Sequence, residues 1–331
     1  MYLTQYFRWL GLTAFLLLSL LSCKKVEEEE TKSDSMSGVV AFNIPYYVLK
    51  GETVTMSASG VIYPKEARYR WYINNVYVDS LYRQTITVQF PDSLGVFLVT
   101  AQSFADGFYS TSTSQQVTTI DTAWNSSLTG LKRSEHFIVD ERDGMTYGYI
   151  TAGDRDWFSQ NLAWKEAGVP FLASPATAGM FGSFYTWSEA TSGQVCPDGW
   201  AVPTHEDWES LAAVLSGGRA IPFIDNWDGL GSKASADAYL NKNRMWPYSP
   251  DNTHTNDIGW NALPLGYSFA STTQFSGFNN YGCWWSATEK DEDQAFYRYI
   301  RYDLGYFPMA YTDKDDLRAS IRCVRRHPQS L

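Results

Sequence analysis

The sequence predicts two domains, an all-β sandwich followed by an α+β domain, and three observations carry that expectation. Between 39 and 120 apolar and polar residues alternate, as in Thr85-Ile86-Thr87-Val88-Gln89-Phe90, the pattern of half-buried strands. At Thr204 an N-cap opens a helix in which Trp208, Leu211, Ala212 and Leu215 recur at i, i+3, i+4 and i+7, one apolar stripe. The length of 331 residues, 44% hydrophobic, exceeds the roughly 250 residues at which single cores stop growing.

The chain begins with an export signal. Arg8 supplies positive charge ahead of an apolar run, Trp9 to Leu21. That run is short of the about 20 residues a membrane span needs and fits a signal-peptide core. It ends Leu20-Leu21-Ser22-Cys23, which resembles a bacterial lipobox. The resemblance implies that 1–22 is removed, that Cys23 is lipidated, and that the membrane is a partner through this anchor. Glu27 to Glu30 lie in a polar, disordered acidic tether, 23–37. The acidic run either resembles the surface-export signal of Bacteroidetes-type lipoproteins or is a plain solvated spacer. The first reading places the protein on the outer membrane, facing the cell exterior.

Strands are expected at 39–44, 53–58, 67–73, 85–90, 95–103 and 115–120. Pro45, Lys50-Gly51, Pro64, Asn74-Asn75, Pro91-Asp92 and Asp106-Gly107 break them. That spacing suggests an immunoglobulin-like sandwich over 38–120, with Trp71 as the buried ring of its third strand. No cysteine lies there, so the inter-sheet disulfide of antibodies is absent. Tyr69-Arg70-Trp71-Tyr72-Ile73-Asn74-Asn75, with Phe90-Pro91-Asp92 and Phe97-Leu98-Val99-Thr100, resembles PKD-like domains. The resemblance implies a spacer or interaction module.

Residues 121–135 read as a polar linker, and 136–327 as the second domain. Strands are expected at 137–139 and 146–151, around the turn Asp140-Glu141-Arg142-Asp143-Gly144. Asp207 completes a capping box with Thr204, and Gly217-Gly218 stop the helix. A second, shorter helix is expected over 232–240. Strands follow at 281–287, 295–302 and 318–325. Arg142-Asp143-Gly144, Trp157 with Asn161-Leu162, Tyr185-Thr186-Trp187, Cys196-Pro197-Asp198-Gly199-Trp200, Val202-Pro203, Trp208, Ala262-Leu263-Pro264-Leu265-Gly266-Tyr267, Trp285-Ser286-Ala287-Thr288-Glu289 and Arg322-Cys323-Val324 fall in one order. In that order they resemble the Fibrobacter succinogenes major paralogous domain. This family is similar in fold to C-type lectin-like domains and, more distantly, to formylglycine-generating enzymes. The resemblance implies an α+β C-type-lectin-like domain with long loops. It also implies a disulfide between Cys196 and Cys323, in a compartment that permits one. Cys283 is then left over and reads as a buried, inert thiol.

The function classes narrow by exclusion. The net charge of -10 argues against nucleic acid as a partner, since that surface must be basic. His136, His205, His254 and His327 show no metal-ligand spacing, and no nucleophile elbow or phosphate loop occurs. The oxidase relatives use a cysteine pair, which Cys283 alone cannot supply, so the chain reads as no enzyme. The C-type-lectin-like resemblance points instead to the long loops, 218–278. There Trp227, Trp246, Tyr248, Asp251, Asn252, Asn256 and Asp257 are the candidate ligand-binding residues. Rings stack on sugar faces, and amides and carboxylates pair with hydroxyls. Asp251, Asn252, Asn256 and Asp257 also offer hard oxygens to calcium, although the Glu-Pro-Asn tripeptide of calcium-dependent lectins is absent and the run also reads as a turn cluster. The leading reading is a surface lipoprotein that recognises glycan or protein, as an adhesin or glycan-capture accessory. A pilus-like assembly subunit is the first alternative, and a divergent enzyme of the formylglycine-generating type the second.

Overall fold

The computed structural model describes residues 34–79, 81–272 and 274–327. Cys23, the acidic run and the signal segment lie outside the described residues.

The N-terminal part is all-β. Alternation divides its residues between an inner and an outer face, and two sheets bury the inner faces against each other. One sheet has five strands in the order Tyr47–Leu49, Thr111–Ile120, Gly95–Phe104, Arg68–Ile73, Val76–Tyr77. The other has three, Ser37–Asn43, Thr53–Tyr63 and Thr85–Gln89. Met56, Ala58 and Ile86 from the second sheet pack with Tyr69, Trp71, Val99, Ala101 and Val117 from the first. Trp71 is fully buried. Its indole N–H donates to the Arg83 carbonyl at 2.8 Å, and Phe42 stacks on it at 5.9 Å. A buried indole with its donor satisfied is the arrangement that stabilises such a core.

The segment read as a linker is fastened rather than free. Leu128–Thr129 pairs with Tyr239–Leu240. The Lys132 N–H donates to Asn261 Oδ1, and the Asn261 amide donates back to the Lys132 carbonyl, each at 2.9 Å. The sandwich is clasped directly as well. The Ser174 hydroxyl oxygen accepts from the N–H groups of both Tyr46 and Tyr47 at 3.1 Å, and Asn241 donates to the Thr119 carbonyl at 2.8 Å.

The second part holds two main sheets flanking a helix. The smaller runs His136–Val139, Thr146–Ala152, Arg155–Phe158, Val324–Arg326. The larger runs Val169–Pro170, Ser183–Tyr185, Leu317–Ser320, Tyr281–Glu289, Gln294–Arg301, Met309–Asp313, with Tyr267–Phe269 added beside Leu317–Ser320. The helix His205–Leu215 forms as its sequence dictates. The Asp207 carboxylate accepts from the Thr204 N–H and hydroxyl, both at 2.9 Å. Trp208, Leu211, Ala212 and Leu215 are buried. The Gly218 N–H bonds back to the Ala213 carbonyl and the Gly217 N–H to that of Val214, with both glycines at positive φ. This is a Schellman stop, which needs residues without a Cβ penalty. Trp157, Trp208, Trp260 and Trp284 meet behind the helix, successive centroids lying 5.1, 5.9 and 4.9 Å apart.

Two local expectations are corrected. The second helix covers Leu230–Ala234 only. From Ser235 the chain is extended, and Ala236 donates to the Ala262 carbonyl. Ala236 and Ala238 are fully buried, so pairing and burial override the helix preference of an alanine-rich run. The last strand is divided into Leu317–Ser320 and Val324–Arg326. Between them the chain passes from the larger sheet to the smaller. Arg322 turns into the core there, donating to Asn161 Oδ1 and to the carbonyls of Phe158, Trp260 and Asn261 at 2.5–3.1 Å. Four acceptors around a buried guanidinium are what its burial requires.

Candidate binding cleft

Alternation along two neighbouring strands builds an aromatic cleft in the second part. In the register of Tyr281–Glu289 with Gln294–Arg301, Tyr281 lies opposite Arg301, Cys283 opposite Tyr299 and Trp285 opposite Tyr297. With a side-chain period of two, these six residues share one face. Ala310 follows Tyr297 onto the next strand. At one end the face is sealed. Trp285 is fully buried and donates to the Tyr185 carbonyl at 2.7 Å. Toward the other end it opens into a cleft of about 590 Å³, walled by Tyr267 and Phe269 on one side and by Asp316 and Leu317 on another.

The floor is aromatic and ordered. Tyr281 and Tyr299 lie 6.2 Å apart, Tyr297 and Tyr299 6.1 Å, and Tyr267 meets Phe269 edge-on at 5.6 Å. Gly277, at φ +68°, lets the chain pass against these rings. A Cβ there would fall 3.0 Å from the Tyr281 ring and 3.2 Å from that of Tyr267, so one or both rings would have to shift by a few tenths of an ångström. Arg301 stands at the mouth. Asp303 grips it through two bonds, Nε to Oδ1 at 2.6 Å and a terminal nitrogen to Oδ2 at 2.5 Å. That fork fixes the guanidinium plane and raises its pKa above the usual arginine value. Burial raises the hydroxyl pKa of Tyr297 and Tyr299, so both rings stay neutral donors and acceptors at physiological pH.

Cys283 lies at the base, buried, with its thiol pushed up to about 12 by desolvation. A thiol held protonated is a weak nucleophile. Cys196 and Cys323 are joined in a disulfide with Cα atoms 5.9 Å apart. None of the histidines lines the cleft. His254 stacks on Trp246 at 4.9 Å, His205 is wedged against Phe223 and Phe296, His136 stacks on Tyr149, and His327 meets Asp156 at 2.9 Å.

The residues expected to bind ligand are spread between core and surface. Trp227 is buried, its indole donating to the Pro222 carbonyl at 2.9 Å and its face covered by Arg298 at 3.2 Å. Trp246 is fully buried. Rings without an exposed face cannot stack on a sugar, so both are corrected to core residues. Asn252 and Asn256 are buried and committed as well. Asn252 accepts from Ser232 and donates to the carbonyls of Arg301, Tyr302 and Leu304, so it holds the loop that follows Arg301. Asn256 exchanges bonds with Asn261 at 2.7 and 2.9 Å. Tyr248, Asp251 and Asp257 are exposed. The amide oxygens of Asn252 and Asn256 are therefore engaged within the fold. Among the described residues no three His, Cys, Asp or Glu side chains gather as a metal-binding group.

The cleft was within reach of the sequence. Tyr281, Cys283 and Trp285, and again Tyr297, Tyr299 and Arg301, are period-two sets. Their pairing into one face needed the strand register. A family model described as the Fibrobacter succinogenes major domain matches residues 150–325. That span holds the helix, the disulfide and every cleft residue named above, and it begins inside the strand Thr146–Ala152. No curated protein matches the chain.

Proposed function

The chain belongs to the Fibrobacter succinogenes major domain family, and from that premise we propose that it is a non-catalytic recognition module for glycan, displayed on the cell surface as a lipoprotein. The observation that carries the proposal is the tyrosine cleft. Neutral phenol rings offer flat faces to the apolar side of a pyranose, and their hydroxyls offer bonds at its edge. Arg301, oriented by Asp303, and Asp316 at the wall supply the directional contacts that choose one sugar over another. The protonated, unpartnered Cys283 beneath the rings favours binding over chemistry.

The proposal includes a C-type-lectin-like fold for the second domain and a PKD-like sandwich as the spacer that holds it from the membrane. The signal segment and Cys23 support the lipid anchor by their sequence. Labelling of Cys23 with radioactive palmitate, and protease shaving of intact cells, test anchor and exposure separately.

The cleft is tested on a glycan and mucin array with the purified, disulfide-bonded protein. Wild type is expected to bind a restricted set of glycans, unchanged by EDTA. Tyr299→Ala and Arg301→Gln are expected to lose that binding while keeping the wild-type circular dichroism. A clean negative from the folded wild type, or full binding by both variants, would overturn the assignment of glycan recognition to this cleft.

A further inference from the structure

We propose that the outer face of the five-stranded sheet is a second binding surface, one that takes an acidic polysaccharide bearing carboxylate or sulfate groups. It is separate from the tyrosine cleft and rests on different residues.

Along Arg68–Ile73 the alternation sends Tyr69 and Trp71 inward and Arg68, Arg70 and Tyr72 outward. Register adds to the outer set. Arg68 lies opposite Phe104, and Tyr72 opposite Tyr77. The result is a line of four rings across the face. Tyr72 to Tyr77 is 5.7 Å, Tyr77 to Tyr82 6.4 Å, and Tyr82 to Phe104 5.2 Å. Tyr77 and Tyr82 are 42% and 38% exposed, enough to offer ring area to a ligand. Both guanidiniums lie against the same rings. Arg70 is 4.2 Å from the Phe104 centroid and 5.7 Å from that of Tyr82, and Arg68 is 4.8 and 5.8 Å away. Lying over the rings restrains the two guanidiniums, and their N–H fork suits bidentate capture of a carboxylate or sulfate.

The charges on this face are unbalanced. Asp106 approaches Arg68 at 3.7 Å, but its side chain is 92% exposed, so the pair is loose. Asp79 is buried and committed to Arg83 and to the N–H groups of Leu81 and Arg83. Among the described residues no acid or hydrogen-bond acceptor partners Arg70. Arg68 and Arg70 together form a local cationic patch on a chain of net charge -10.

The shape selects among anions. The rings and guanidiniums stand on the face of the sheet, whereas an extended peptide adds a strand along an edge, here that of Val76–Tyr77. A row of rings suits a chain of flat sugar units laid across it. Hydroxyls and an amide continue the face beside the rings, Thr100 with Ser114 at 2.8 Å and Gln102 with Ser110 at 3.1 Å. The Arg68 and Phe104 end of the surface points away from the second domain. Val96, at the other end of the Gly95–Phe104 strand, borders the crevice against Phe171 and Asn241. Phe104 lies eight residues further on, about 26 Å at the rise of an extended strand.

The test uses the intact protein on surfaces carrying polygalacturonate, heparin, neutral dextran or poly-glutamate. The expected result is binding to polygalacturonate or heparin that weakens with salt, with no binding to dextran at this face. Arg68→Gln combined with Arg70→Gln is expected to lower affinity at least tenfold, and Tyr77→Ala several-fold. Arg70→Lys keeps the charge without the fork and should fall between. Tyr299→Ala, in the cleft, should leave acidic-polymer binding unchanged, which separates this proposal from the one above. Near-ultraviolet circular dichroism checks that each variant is folded. Absence of binding to both acidic polysaccharides, or undiminished binding by the double arginine variant, would overturn the proposal. Equal affinity for poly-glutamate would overturn the sugar assignment, because charge alone would then account for capture.

Discussion

Asp207→Ala isolates how much of the second domain hangs on one carboxylate. Asp207 is buried, with 2% of its surface exposed. It caps the helix His205–Leu215 through Thr204 and also receives two guanidiniums. Arg155 Nε donates at 2.7 Å, Arg326 Nε at 2.8 Å, and a terminal nitrogen of Arg326 at 3.1 Å. The cap alone contributes about 1 kcal/mol. Arg326 is half exposed and also reaches Glu206, so water compensates most of its loss. The side chain of Arg155 is 11% exposed and keeps only Asp154 when Asp207 is gone. Half-stripping a buried guanidinium of its acids adds about 2 kcal/mol, below the full cost of orphaning one. The expected loss is about 3 kcal/mol, which in a domain of this size lowers Tm by about 6 to 12 °C. Burial opposes ionisation of Asp207, yet Arg326, the Thr204 N–H, Arg155 and the Thr204 hydroxyl hold its carboxyl below the usual range. A depressed folded pKa gives stability that is present above the unfolded carboxylate pKa of about 3.9 and lost as pH falls through the folded value. Denaturant titrations of wild type, Asp207→Ala and Asp207→Asn at pH 7 and pH 3 measure both effects. The wild type should lose stability on acidification, and the variants should lose less. A loss near 1 kcal/mol at pH 7, with unchanged acid sensitivity, would refute the reasoning, because the helix cap would then account for everything.

Further outcomes follow from the same contacts. Burial lowers the imidazole pKa of His254 to about 4, so its ring protons in NMR should stay constant from pH 8 to pH 5. Its contribution to stability should fall between about 6.5, where the unfolded ring protonates, and the folded value. Titration near pH 6.5 would contradict the burial. Replacing Cys196 and Cys323 by Ser opens a loop spanning a sequence separation of 127 and should cost up to about 5 kcal/mol in the chain-entropy model, read by denaturation. Cys283 should resist iodoacetamide in the folded protein and react on unfolding, as peptide mass mapping would show. Trp246→Ala should destabilise the fold by about 3 to 5 kcal/mol rather than alter ligand affinity in a folded protein.

What was legible in the sequence was what is decided locally. The helix at 205 carries its own cap, apolar stripe and glycine stop, so no distant residue was needed to find it. The sandwich strands alternate cleanly because one face meets a core and the other water, as at Ile86 between exposed Thr85 and Thr87. Three features escaped for the opposite reason. The run Ala234 to Ala238 has helix-forming composition, and only its pairing with the segment at Ala262 reveals the extended form. Arg322 looks like a surface residue until its four acceptors, drawn from two separate segments, come together. The loop aromatics looked like a ligand platform, yet Trp227 and Trp246 fill the core behind the helix and beside it. The tyrosines that do face a cleft sit on strands correctly expected, and only register joins them.

The disulfide between Cys196 and Cys323 also governs how the molecule answers a pull. It closes the chain between Cys196, just ahead of the helix, and Cys323, in the final crossing between sheets. The enclosed segment, if drawn out, would amount to about 440 Å of slack at full extension. While the bond is intact that length cannot be paid out between the two ends of the chain. The sandwich has no such bond among its described residues. Stretched end to end, the protein would lengthen by unravelling its first domain while the loop-closed half kept its shape. Reduction would convert the second domain from a clamp into the longer tether of the two.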